Sequence, residues 1–288
     1  MKHSLLVLIQ LLLIASARCF AEAPPKDDVQ VLANIDYKSG DGLSDYEKQR
    51  CKLDVYLPPG QSGFPTLVWF HGGGLTGGSK DGSNKLARSL AKAGIAVVVP
   101  NYRLSPKVKF PAYIQDAAAA CAWARAHIGE HGGDPARLFI GGHSAGGYLT
   151  LMLGLDAHYL RDVGVEPSAI AGLIPVSGQT MTHYTVREER GIGKFTITAD
   201  AAAPVYFIRK DTPPFLVLYA DHDMVGRAEE NAYFVAMIKG AGNQRITGKL
   251  IADRTHGSIA GKITEDGDPA RTAILDFITH ASSPGARN

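Results

Sequence analysis

The chain is poor in cysteine, with three in 288 residues, and in tryptophan, with two. It contains no C-x-x-C pair and no H-E-x-x-H run, so the spacings that mark zinc sites are missing and no metal is expected. Charge of one sign is missing too. Thirty basic side chains face 28 acidic ones, a formal net charge of +2. Without a basic stripe or tail, nucleic acid is not an expected partner. The leucine-rich run from Ser4 to Ala15 is too short to span a bilayer, so stable membrane insertion is not expected either.

That run follows Lys2 and leads into small residues, with Cys19-Phe20-Ala21 and Ala15-Ser16-Ala17 as cleavage patterns. Residues 1–21 therefore read as a secretory signal peptide, and the expected location is secreted or periplasmic. Arg18 before Cys19 argues against a lipoprotein site. Cleavage after Ala21 removes Lys2 and Arg18 and takes the formal charge from +2 to 0. Residues 22–288 have a length that suits one catalytic domain with a single large core.

Glycine is abundant, at 32 residues, and its placement carries the chemistry. Gly141-Gly142-His143-Ser144-Ala145-Gly146-Gly147 follows the apolar run Leu138-Phe139-Ile140 and precedes Tyr148-Leu149-Thr150-Leu151-Met152-Leu153. This reads as strand, tight turn, helix. Gly142-x-Ser144-x-Gly146 fits the nucleophile elbow, in which a strained turn exposes the serine hydroxyl. Upstream, the buried strand Phe64–Phe70 runs into His71-Gly72-Gly73-Gly74. Attack on a carbonyl places negative charge on its oxygen, and donors must already point there. The N–H groups of Gly73, Gly74 and Ala145 are the expected oxyanion donors.

These stretches, with Asn101-Tyr102-Arg103-Leu104-Ser105-Pro106, Phe110-Pro111-Ala112, Asp116 and Gly133-Asp134-Pro135-Ala136-Arg137, carry a family resemblance. The chain resembles the α/β-hydrolase superfamily from about Leu53 onward. Within it, the hormone-sensitive-lipase-like carboxylesterases and the small secreted esterases near acetylesterases and kynurenine formamidases are similar. Three features depart from the lipase-like pattern. His143 stands where an acid is usual, Leu75 where an aromatic is common, and the long N-terminal helical cap is missing.

The resemblance implies an α/β fold of the α/β-hydrolase type: a mostly parallel central sheet flanked by helices, with a small cap insertion. Strands are expected near Val29–Tyr37, Lys52–Tyr56, Leu67–Phe70, Ile95–Val99, Ile170–Val176, Pro213–Ala220 and Gln244–Ile251. Helices are expected near Asn84–Ala93 and Ala112–His127. Alternation of this kind points to a parallel sheet. Cys51, on an early strand, and Cys121, on a helix, are expected far apart, buried and unpaired.

In this fold an acid and then a histidine follow the serine. The strand ending at Ala220 runs into Asp221-His222-Asp223, and the family spacing selects Asp223, with Asp221 as the alternative. His256, in an expected loop Asp253–Ser258, completes the order Ser144, Asp223, His256. His143 and His71 are assigned packing roles, Asp116 a brace for Arg103 or a helix cap, and His280 a solvent-facing position. Residues Ser177 to about Val205 break the alternation and form the expected cap, with Leu75, His183 and Tyr184 as the substrate wall. The implied activity is hydrolysis of short or compact carboxylic esters by acyl transfer to water, needing no cofactor. An amidase or formamidase would use the same parts, and a non-catalytic binding protein could share the fold.

Overall fold

The computed structural model describes residues 28–281. The expected signal peptide and both its cleavage patterns lie outside the described residues. A twisted sheet of eight strands forms the centre, in the order β1-β2-β4-β3-β5-β6-β7-β8. The strands are β1 (Gln30–Asp36), β2 (Lys52–Leu57), β3 (Phe64–Phe70), β4 (Ala96–Pro100), β5 (Gly133–His143), β6 (Ile170–Val176), β7 (Phe215–His222) and β8 (Ile246–Thr255). From β4 across to β8 every neighbouring pair is parallel, while β2 runs antiparallel to both β1 and β4. All seven residues of β3 and all five of β4 are buried, as continuous apolar strands covered on both faces must be.

The helices are α1 (Asp45–Arg50), α2 (Asn84–Lys92), α3 (Ala112–His127), α4 (Ala145–Leu155), α5 (His158–Arg161), α6 (Tyr184–Glu189), α7 (Arg227–Gly240), α8 (His256–Gly261) and α9 (Pro269–Ala281). Two apolar cores result, one on each face of the sheet. Tyr113 and Ile114 of α3, Tyr148 and Leu149 of α4 and Phe234 of α7 fill one. Leu86 and Leu90 of α2 and Ile274 and Ile278 of α9 fill the other. Among the described residues no helix is long and apolar enough to cross a membrane.

The expected strands and helices are present, with two differences that matter. First, α1 lies between β1 and β2. Its signal is a capping box: the Ser44 hydroxyl accepts from the Glu47 N–H, and the Glu47 carboxylate accepts from the Ser44 N–H. Cys51 therefore caps α1 rather than lying in a strand. Cys51 and Cys121 are both buried and free. Second, the expected loop Asp253–Ser258 does not exist as a loop. Strand β8 continues to Thr255, and His256 opens α8 behind a capping box made by Thr255 and Ser258.

Candidate active site

Strand β5 ends in a turn whose geometry is set by glycine. Ser144 has φ 58 and ψ −115, a strained backbone for a residue with a Cβ. The turn is tight enough that a Cβ on Gly146 would stand 2.0 Å from the carbonyl oxygen of Phe70. Ser144, the candidate nucleophile, thus sits at the start of α4, where unpaired N–H groups favour developing negative charge.

Three side chains far apart in sequence meet there. The Ser144 hydroxyl lies 2.8 Å from Nε2 of His256, which is its acceptor, and Nδ1–H of His256 donates to Oδ1 of Asp223 at 2.5 Å. The Asp223 side chain is almost fully buried. Burial pushes its carboxyl up, but the hydrogen bonds from His256, from the Ser177 hydroxyl and from the Met224 N–H outweigh this and hold it below the ordinary value. It stays a carboxylate, able to fix the imidazole tautomer and to stabilise its cation.

Asp221 is engaged elsewhere. Its Oδ2 accepts from the Asp253 N–H at 2.8 Å and its Oδ1 from the Arg254 N–H at 2.9 Å. Asp221 thereby ties the end of β7 to the end of β8, immediately before His256. His222 points into solvent, 71% exposed, and takes no part in the hydrogen-bonded line.

The loop after β3 brings the other glycines alongside. Gly73 and Gly74 have φ of 117 and 64, and a Cβ on Gly73 would meet the Gly77 carbonyl oxygen at 2.3 Å. Among the described residues, the N–H groups of Gly73, Gly74 and Ala145 have no protein acceptor. Ala145 is the first residue of α4, so its N–H has no intrahelical partner. The loop is braced from beneath. His71 stacks on Tyr102 with centroids 4.3 Å apart, and Tyr102 donates to the His71 carbonyl at 2.9 Å.

The substrate wall needs correction. Leu75 is fully buried in the core, because its left-handed turn (φ 63) carries the side chain inward. His183 is also buried, and its Nδ1 caps α6 by accepting from the Thr185 N–H. Burial, reinforced by Arg227 and Arg187, keeps this imidazole neutral. Neither residue presents surface to a substrate. Tyr184 alone of the three reaches the site: a Cβ on Gly74 would stand 2.0 Å from its hydroxyl oxygen. Helix α6 is anchored to the same loop, since the Thr185 hydroxyl donates to the Gly74 carbonyl at 2.5 Å.

Two residues of the site lie outside the group expected from sequence. His143 was expected only to pack, but its Nε2–H donates to the His256 carbonyl at 2.7 Å and its ring lies 4.7 Å from that of His256. Ser177 donates to Oδ2 of Asp223 at 2.5 Å. Asp116 braces Arg103 as expected, through two contacts of 2.8 Å to the guanidinium, and also binds Lys38.

The architecture has counterparts among known proteins. The solved structure described as a truncated form of carbohydrate esterase from gut microbiota superposes with a TM-score of 0.73 at 21% identity, covering 90% of this chain and 99% of that one. The shared architecture is the α/β-hydrolase fold. Carboxylesterase NlhH of Mycobacterium tuberculosis is 35% identical over 163 residues, 56% of this chain and 46% of NlhH. The probable carboxylic ester hydrolase LipM of the same organism is 32% identical over 200 residues, 63% of this chain and 46% of LipM. The chain therefore spans about half the length of these two relatives. The family model described as BD-FAE matches residues 53–237, which include the glycine loop after β3, the turn at Ser144 and Asp223, and the chain belongs to the BD-FAE family.

Proposed function

We propose that this protein is a serine carboxylesterase that cleaves esters of short or compact acyl groups through an acyl-enzyme intermediate. The observation that carries the reading is the unbroken line from Ser144 through His256 to Asp223. In this mechanism His256 takes the Ser144 proton as Oγ attacks the carbonyl carbon. The N–H groups of Gly73, Gly74 and Ala145 receive the oxyanion. His256 then protonates the leaving alcohol and next activates water, which releases the acid and restores Ser144. The names of the two relatives, a carboxylesterase and a probable carboxylic ester hydrolase, support this choice of reaction.

Tyr184 supports the size limit. Its hydroxyl stands over Gly74, and the cap that carries it contains only the short α6 and a turn at Pro204–Phe207. Each additional buried methylene would stabilise a bound acyl chain by about 0.8 kcal/mol in a deep apolar groove. Under a small cap the gain should stop early, once the tail reaches water. The test is kcat/KM for p-nitrophenyl esters from acetyl to palmitoyl, with N-formylkynurenine as an amide control. A maximum at the short end is expected. A maximum at palmitoyl would overturn the size limit, and labelling by a fluorophosphonate without ester turnover would overturn the choice of substrate.

A further inference from the structure

The end of β6 touches the nucleophile, the acid and the helix behind them with three consecutive residues. The Val176 carbonyl accepts from the Ser144 N–H at 2.9 Å. The Ser177 hydroxyl donates to Oδ2 of Asp223 at 2.5 Å. Gly178 packs against the backbone of Gly147 in α4 so closely that a Cβ on either would lie 2.8 Å from the other's backbone.

Ser177 itself is fully buried and has φ 49, a left-handed backbone that disfavours any side chain. Nothing in a turn after a strand requires serine there, and glycine would adopt the conformation without strain. The surroundings hold it in place from both sides. Its N–H donates to the Leu218 carbonyl of β7 at 2.8 Å, and its carbonyl accepts from Nη1 of the buried Arg227 at 2.8 Å. Arg227 opens α7, four residues after Asp223, and is paired with Glu230 at 3.5 Å. A strained residue pinned at both backbone groups, with its only polar side-chain atom on the catalytic-type carboxylate, is what a fixed hydrogen-bond donor requires.

We infer that Ser177 is a positioning residue for the acid. It holds the second oxygen of Asp223, so that Oδ1 faces His256, and it fixes the distance between the acid on β7 and the nucleophile on β5. The inference rests on the proposed Ser144–His256–Asp223 mechanism. Ser177 has no exposed surface and does not touch substrate.

The test compares wild type, Ser177→Gly and Ser177→Ala, using the full chain. Glycine removes both the hydroxyl and the strain, whereas alanine removes the hydroxyl and keeps the strain. In both variants kcat for p-nitrophenyl acetate and the rate of fluorophosphonate labelling at Ser144 should fall roughly tenfold to a hundredfold, the range for a hydrogen bond to a charged group. KM should stay within about twofold. The unfolding midpoint of Ser177→Gly should exceed that of Ser177→Ala, because both lose the hydrogen bond to Asp223 and only glycine sheds the strain, while their kcat values fall alike. Wild-type labelling and kcat in Ser177→Gly would overturn the inference, as would a loss confined to KM or a kcat that recovers from Ser177→Ala to Ser177→Gly in step with the midpoint. A wild-type protein that is not labelled at Ser144 would instead overturn the mechanism beneath it.

Discussion

His143 donates a hydrogen bond through Nε2 to the carbonyl oxygen of His256, 2.7 Å away. The residue that precedes the candidate nucleophile thus holds the backbone of the candidate base, across 113 positions of sequence. Donation through Nε2 leaves Nδ1 as the lone-pair nitrogen of a neutral ring. Burial, with the nearby His256 ring adding to it, pushes His143 from 6.5 down to about 4. Burial likewise pushes His71 down to about 4.

A pH dependence of stability follows. A histidine with a depressed native pKa binds fewer protons in the native state than in the unfolded state between the two values. Its contribution is complete above the unfolded value near 6.5 and is lost as pH falls towards about 4. The urea midpoint should therefore decline over that window, with the two rings ceasing to add to the slope below it. His143→Gln, which can still donate to the His256 carbonyl but cannot titrate, should show a shallower decline. An identical slope in wild type and variant would mean that His143 does not titrate as a buried neutral ring.

Ser144→Ala should fold normally and lose ester turnover by roughly 10⁴-fold or more, since the group that forms the acyl bond is gone. The hydroxyl makes one hydrogen bond, to His256, and contributes little to packing. Kinetics with a short ester, beside circular dichroism of the purified variant, test both halves of this expectation.

Asp223→Asn and Asp221→Asn should separate sharply. An amide at position 223 loses the charge that stabilises the imidazolium and favours the wrong tautomer, with a cost of about 10⁴-fold in kcat. At position 221 the amide oxygen can still accept one of the two N–H bonds from Asp253 and Arg254. The expected loss is less than about tenfold, arising from looser placement of His256. Side-by-side kcat values decide, and a larger loss at position 221 would exchange the two assignments.

Asp116→Ala should destabilise the fold by up to about 3–5 kcal/mol, because Arg103 and Lys38 lose their buried anionic partner and share only Glu47. Asp116 is fully buried and receives Arg103 and Lys38, whose side chains are only 13% and 16% exposed. Urea unfolding measures the loss. Ester turnover below the unfolding range should persist, since Asp116 does not contact Ser144, His256 or Asp223.

Local pattern and glycine placement were sufficient for most of the architecture. Continuous apolar strands, the exact-length helix Ala112–His127, the elbow around Ser144 and the triple glycine after β3 all express constraints that act within a few residues. A helix period, a turn that excludes Cβ and an apolar run are visible wherever the chain is read. The order of Ser144, Asp223 and His256 along the chain was legible for the same reason, with the fold's connectivity supplying the sequence of loops.

Contacts between loops were decided only in three dimensions. Asp221 and Asp223 lie two positions apart at one strand end, and nothing local separates them. The pairing of β7 with β8 shifts register between Ala220 and His222, and Asp221 there meets the N–H groups of Asp253 and Arg254 while Asp223 reaches His256. Leu75 and His183 read as wall residues by position, yet backbone direction and helix capping turn them inward. The hydrogen bonds from Ser177 to Asp223 and from His143 to His256 span 46 and 113 residues. Such pairs depend on how strands register and where loops return over the sheet, which is set by the packing of both cores together and leaves no trace in any short stretch of sequence.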